Sequence, residues 1–149
     1  KKLKIIGILM LMATSILISI QICKYEKYKI IYCDKMMYLA SQVSIFMKSV
    51  MPDTDMIFSY LKNSEKLKDI DIFDINSTSP LNKVENEKIT EYINSIGKYD
   101  AQTQIDKSTE FCDSFRLIKK DYQQFYSTHY KLIYAAGFSF GALISILLI

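Results

Sequence analysis

Apolar residues recur at steps of three and four through two long stretches, neither broken by proline. In the first, 24–50, the stripe is Tyr25, Tyr32, Met36, Leu39, Val43, Phe46 and Val50. In the second, 100–149, it is Gln104, Ser108, Phe111, Phe115, Ile118, Tyr122, Phe125, His129 and Leu132. Such a period predicts a helix that buries one face against a helical partner, and here the two stripes are expected to face each other. The second stretch then enters Leu132–Ile149, eighteen residues without a charge. As a helix that tail reaches about 27 Å, close to the hydrocarbon thickness of a bilayer.

Shorter elements fill the chain between them. Met51-Pro52-Asp53-Thr54 stops the first helix, because a residue before proline leaves the α region, and Asp53 or Thr54 is placed to cap the next turn. Met56, Ile57, Tyr60 and Leu61 predict a short helix. From Lys62 to Ser79 the pattern is weakest. Ile70, Ile72, Phe73 and Ile75 alternate with Asp69, Asp71 and Asp74 in a strand-like period of two. With no second strand to pair with, the stretch reads as an irregular helical turn with its aspartates in solvent. Ser79 as N-cap and Pro80 at the first helical position predict a further helix carrying Leu81, Val84, Ile89, Tyr92, Ile93 and Ile96. Gly97 ends it where φ is positive, and Asp100 caps the long second helix.

The N-terminal residues add a second apolar run, Leu3–Ile22, preceded by Lys1 and Lys2 and containing Lys4. It is longer than the core of a usual signal peptide, and no small-x-small pair precedes Lys24, so it reads as a retained anchor. Small residues punctuate both runs: Gly7, Ser15 and Ser19 in the first, Gly137, Gly141 and Ser145 in the second. Such residues let membrane helices approach closely, so these six are expected to pack the anchors on each other or on a partner's helices. The expected organisation is a transmembrane anchor over 1–23, a helical bundle over 24–130 and a second anchor over 131–149. The fold class is therefore all-α, a helical bundle between two transmembrane helices.

Charge bears on topology alone. The net +3 resides in Lys1, Lys2 and Lys4, and all sixteen acids lie between the anchors beside sixteen of the nineteen bases. No basic face remains for nucleic acid. Lys24, Lys27, Lys29, Lys119, Lys120 and Lys131 outnumber the tail lysines, which favours a cytoplasmic domain. Cys23, Cys33 and Cys112 form no close pair and read as buried free thiols.

No constellation of catalytic residues is legible. His129 is the single histidine and has no neighbouring nucleophile or second ligand. No glycine-rich phosphate loop exists, and Asp69, Asp71 and Asp74 lack the glycine and closing glutamate of a calcium loop. Glu85, Glu87 and Glu91 flank one helix beside Lys83 and Lys88. The expectation is a protein that works by contact, without enzyme activity, cofactor or metal.

Several of these residues carry a family resemblance. Leu3-Lys4-Ile5-Ile6-Gly7 resembles the opening of the stage III sporulation protein AB family. Gly97-x-x-Asp100-x-x-x-Gln104 resembles the turn and helix start in that family's second half, and Lys131-Leu132 with Gly137-x-x-x-Gly141 is similar to its C-terminal anchor. Pro52 after the first long helix fits as well. The chain departs from the family in lacking acids over Ser41–Ser49 and in being short between Leu61 and Pro80. The resemblance implies a membrane scaffold, similar to the platform protein of type II secretion and type IV pilus systems, in the mother-cell membrane around the forespore. Implied partners are membrane lipid, other subunits of a sporulation channel complex, a secretion-type ATPase and further copies of the chain. Gly97, Asp100 and Gln104 are then either a partner contact or plain helix capping. The alternative is a two-span sensor with a helical hairpin domain for a ligand, which an outward-facing domain and an output segment would mark.

Overall fold

The computed structural model describes residues 2–49 and 53–147, with side chains from Ile6 onward. The predicted break at Pro52, and Val50 of the first stripe, lie outside the described residues. The elements are α1 (Lys2–Ser49), α2 (Thr54–Asn63), α3 (Ile75–Thr78), α4 (Lys83–Ser95) and α5 (Ala101–Leu147). The fold is all-α, with no strand among the described residues. Compactness divides it into Lys29–Lys120 and a unit formed by Lys1–Tyr28 with Asp121–Ile149. These divisions fall inside α1 and α5.

Within Lys29–Lys120, Tyr32, Met36, Leu39 and Val43 of α1 are fully or almost fully buried, as are Ile57 and Leu61 of α2 and Phe115 of α5. The Cys112 thiol contacts the Met37 carbonyl oxygen at 3.5 Å and Lys119 pairs with Asp34 at 2.7 Å, so α1 and α5 lie side by side here. Tyr92 of α4 stacks on Phe111 of α5 with ring centroids 4.2 Å apart, and Phe111 stacks in turn on Phe115. Phe46 meets Tyr60 edge-on at 4.6 Å, which seats α2 against α1. Each aromatic pair adds about 0.5–1.5 kcal/mol beyond the area it removes from water.

Several expectations need correction. Ser79 and Pro80 do not start α4. Asn82 does, in a capping box where its side chain accepts from the Glu85 N–H at 3.0 Å and Glu85 accepts from the Asn82 N–H at 3.1 Å. Two orphan amides are satisfied there at once, which a serine cap alone cannot match. Ser79 instead closes α3, accepting from the Leu81 N–H and donating to Asn86 Oδ1 at 2.6 Å. The later start turns Val84 outward, 63% exposed, and brings Asn86 inside. On α2, Met56 and Tyr60 stay largely exposed. The segment after α2 is a run of turns that buries Leu67, Ile70, Ile72 and Ile75 and leaves Phe73 71% exposed. Its aspartates Asp69, Asp71 and Asp74 are exposed, as expected, and two of them also make side-chain bonds. Asp69 pairs with Lys35 at 2.5 Å, and Asp71 accepts from the Phe73 and Asp74 N–H groups.

The unit built from the chain ends is a pair of helical segments. Ser19, Cys23 and Ser145 are buried in it, whereas Tyr25, Phe125 and Leu132 of the predicted stripes are exposed. In α5 the less exposed positions of this unit include His129 of the predicted seam together with Tyr126, Tyr130, Ile133, Gly137, Gly141 and Ser145. From Ile133 on the step is four, which suits close packing on small residues, where the mixed three-four seam was expected to continue. Helices α1 and α5 each hold an eighteen-residue window apolar enough to cross a membrane, with mean hydropathy 2.2 and 1.5. Only 11% of either window is buried within the protein.

Candidate functional site: the Gly97 turn and the small-residue helix contact

The turn between α4 and α5 is built by three residues with three separate tasks. Gly97 has φ +80°, a left-handed conformation that side chains disfavour. A Cβ there would also overlap the Thr54 hydroxyl at the start of α2, so glycine is required twice over. Asp100 caps α5. Its carboxylate accepts from the Thr103 N–H at 3.0 Å and from the Thr103 hydroxyl at 2.6 Å. The Thr103 hydroxyl bond, followed by the Thr103 amide bond, holds the Asp100 carboxyl below its usual range.

Gln104 is fully buried, and its Oε1 accepts from the Gly97 N–H at 3.3 Å. That bond ties the first turn of α5 to the end of α4. The Gln104 side chain is turned into the fold. Its Nε2 is buried with no hydrogen-bond partner among the described residues. Ser108, one turn on, donates to the Gln104 carbonyl at 2.8 Å. The Tyr92 hydroxyl lies 2.7 Å from Ser108 Oγ, and with the serine proton so committed Tyr92 is the donor. Burial pushes the Tyr92 phenol well above its ordinary range, the Ser108 bond offsetting part of that rise. Lys98, Tyr99 and Gln102 remain exposed around this clasp, with Lys107 Nζ 4.6 Å from the centre of the Tyr99 ring.

The second predicted set lies in the other unit. The Ser15 hydroxyl donates to the Gly137 carbonyl at 2.5 Å. A Cβ on Gly137 would overlap the Ser19 hydroxyl, and one on Gly141 would come within 3.2 Å of Ser15 Cβ and 3.4 Å of Met12 Cα. The two helices thus approach closely here, leaving no room for a Cβ on Gly137 beside the Ser19 hydroxyl and only tight room for one on Gly141. Ser145 is buried and donates back to the Gly141 carbonyl at 2.7 Å. Gly7 stands apart: among the described residues nothing lies within 4 Å of a Cβ built on it.

The remaining chemistry is sparse. Burial raises the Cys33 thiol to about 12 and raises that of Cys112, leaving both as poor nucleophiles at neutral pH. His129 Nδ1 is engaged with the Phe125 carbonyl at 2.9 Å, and its ring stacks on Phe125. Among the described residues no three of His, Cys, Asp and Glu are grouped to hold a metal. An open groove of about 580 Å³ beside the turns after α2 is lined by Lys62, Lys68, Asp71, Phe73 and Thr78 among others, with no nucleophile paired to a base.

Sequence reasoning missed Thr54, whose packing on Gly97 has no local signal, and the Tyr92–Ser108 bond, which joins positions sixteen apart. The Asn82–Glu85 box was present as Asn-x-x-Glu and was overshadowed by the adjacent Ser-Pro. No family model, curated protein or solved structure matches this chain.

Proposed function

We propose that this protein is a non-enzymatic membrane platform, in which two anchors hold an all-α bundle at the bilayer as a docking surface for other proteins. The observation that carries the reading is the pair of long apolar windows in α1 and α5, of which only 11% is buried by the protein. So much apolar surface calls for lipid or partner helices to cover it. The more specific form of the proposal is a subunit of the sporulation channel assembly, in the mother-cell membrane with its bundle in the cytoplasm. The resemblance carried by Gly97-x-x-Asp100-x-x-x-Gln104 and by both anchors supports it.

In this reading the chain contributes position and rigidity. Gly97, Asp100 and Gln104 fix the turn from within, and Lys98, Tyr99 and Gln102 form the face that the fixed turn offers to a secretion-type ATPase or a ring subunit. The test is affinity purification of the tagged chain from detergent-solubilised membranes of spore-forming cells. Recovery of such an ATPase or ring-forming membrane proteins is the expected result. Absence of any such partner, with normal spores after deletion, sinks the channel assignment.

A further inference from the structure

The contacts of the chain-end unit fix a register. Ser19 faces Gly137 and Ser15 faces Gly141, so each step up α1 is a step down α5. Five residues beyond Ser19 is Lys24, at the level of Leu132; eight beyond is Lys27, at the level of His129. Lys131 falls between those levels. At 1.5 Å per residue, three lysines from two helices share a slab about 5 Å thick. All three are exposed, and none is ion-paired among the described residues.

The same slab holds Tyr25 of α1 and His129 and Tyr130 of α5, with Tyr28 of α1 and Tyr126 of α5 within about 5 Å of it along the helices. Tyr126 stacks on Tyr130 with centroids 5.8 Å apart, and Lys131 Nζ lies 5.9 Å from the Tyr130 ring centre. On one side of the slab both segments are free of charge, over Ile5–Cys23 and Leu132–Leu147. Aromatic rings with lysines at the edge of an apolar span mark the headgroup level. Glu26 is the single acid in the slab, and Asp121 is ten residues, about 15 Å, beyond Lys131. The slab is therefore net cationic while the chain between the anchors is balanced.

We infer that Lys24, Lys27 and Lys131, framed by these tyrosines, form a binding surface for the phosphodiester of anionic lipid headgroups. Aromatic rings alone would seat the helices at any headgroup layer. The excess of ammonium groups favours lipids with net negative charge, each lysine adding attraction that salt weakens. The inference rests on the membrane reading above.

The experiment uses the full chain in detergent, offered equal amounts of phosphatidylglycerol and phosphatidylcholine, with retained lipid counted by native mass spectrometry. The wild-type chain is expected to retain phosphatidylglycerol about fivefold or more over phosphatidylcholine. K24Q/K27Q/K131Q brings the ratio to parity. K24R/K27R/K131R keeps it, as does K68Q/K83Q/K88Q in the Lys29–Lys120 unit. Equal retention of both lipids by the wild type, or equal loss in the two triple glutamine variants, overturns the inference. A separate alkaline extraction tells the two readings apart. Release of the chain from membranes overturns the membrane reading and this one together, whereas a chain that stays in the membrane without lipid preference overturns this one alone.

Discussion

Gly97 concentrates two requirements at one residue, positive φ and contact with Thr54. Gly97→Ala is expected to destabilise the Lys29–Lys120 unit by about 1–3 kcal/mol. Adding Thr54→Gly removes the overlap but not the backbone strain, so it should recover only part of that loss in urea unfolding. Asp100 and Cys33 make the same unit sensitive to pH at opposite ends. The Asp100 carboxyl is held low by its bonds to Thr103, so the stability it gives is present above the ordinary carboxylate range. That contribution disappears as pH falls through the depressed value. Asp100→Asn, whose amide still accepts from the Thr103 N–H, should flatten the acid limb of a melting-temperature profile. Cys33 behaves in the reverse sense. Its thiol holds a proton up to about 12 in the fold and loses it near 9.0 in an unfolded chain. The contribution is intact below pH 9, falls as pH rises toward 12, and should shrink in Cys33→Ala.

At the scale of elements, α4 and α5 are joined by a clasp, and the two chain-end segments by a seam of small residues. The clasp was legible as a motif, read as either helix capping or a partner contact. Gly97-x-x-Asp100-x-x-x-Gln104 gives the left-handed residue, the cap, and one turn later the amide that reaches back to Gly97. Periodicity places Gln104 in the stripe but does not say that its side chain bonds the glycine. For the seam, Gly137→Leu should loosen the helix pair by about 1–3 kcal/mol through overpacking against Ser19. Gly7→Leu meets none of the described residues within 4 Å and should change little. Thermal unfolding in detergent compares the two, and equal effects would argue against the seam as described.

At the scale of the whole molecule, the proposed platform function depends on surface left over after the internal bonds are made. Lys98, Tyr99 and Gln102 are that surface beside the clasp. Tyr99→Ala should reduce partner recovery in affinity purification several-fold while leaving the melting temperature unchanged. Loss of both together would mean that Tyr99 supports the fold, and loss of neither would place the docking face elsewhere.

The all-α class, the two apolar runs, the positive φ at Gly97 and the cap at Asp100 were determined by the sequence alone. Each depends on interactions within a few residues or on a period carried along one helix, and such signals need no knowledge of what lies opposite. Tertiary structure decided which stripe residues are inside, and in the chain-end unit it left Phe125 and Leu132 exposed and Tyr126 and Ile133 half-buried. It also decided that Gln104 is core, that Thr54 closes on Gly97, and that Ser15 and Ser19 meet Gly137 while Gly7 meets nothing among the described residues. The last of these depends on the register between segments more than a hundred residues apart in sequence. A small-residue pattern states that close approach is allowed; only the packed partner selects which glycine is used.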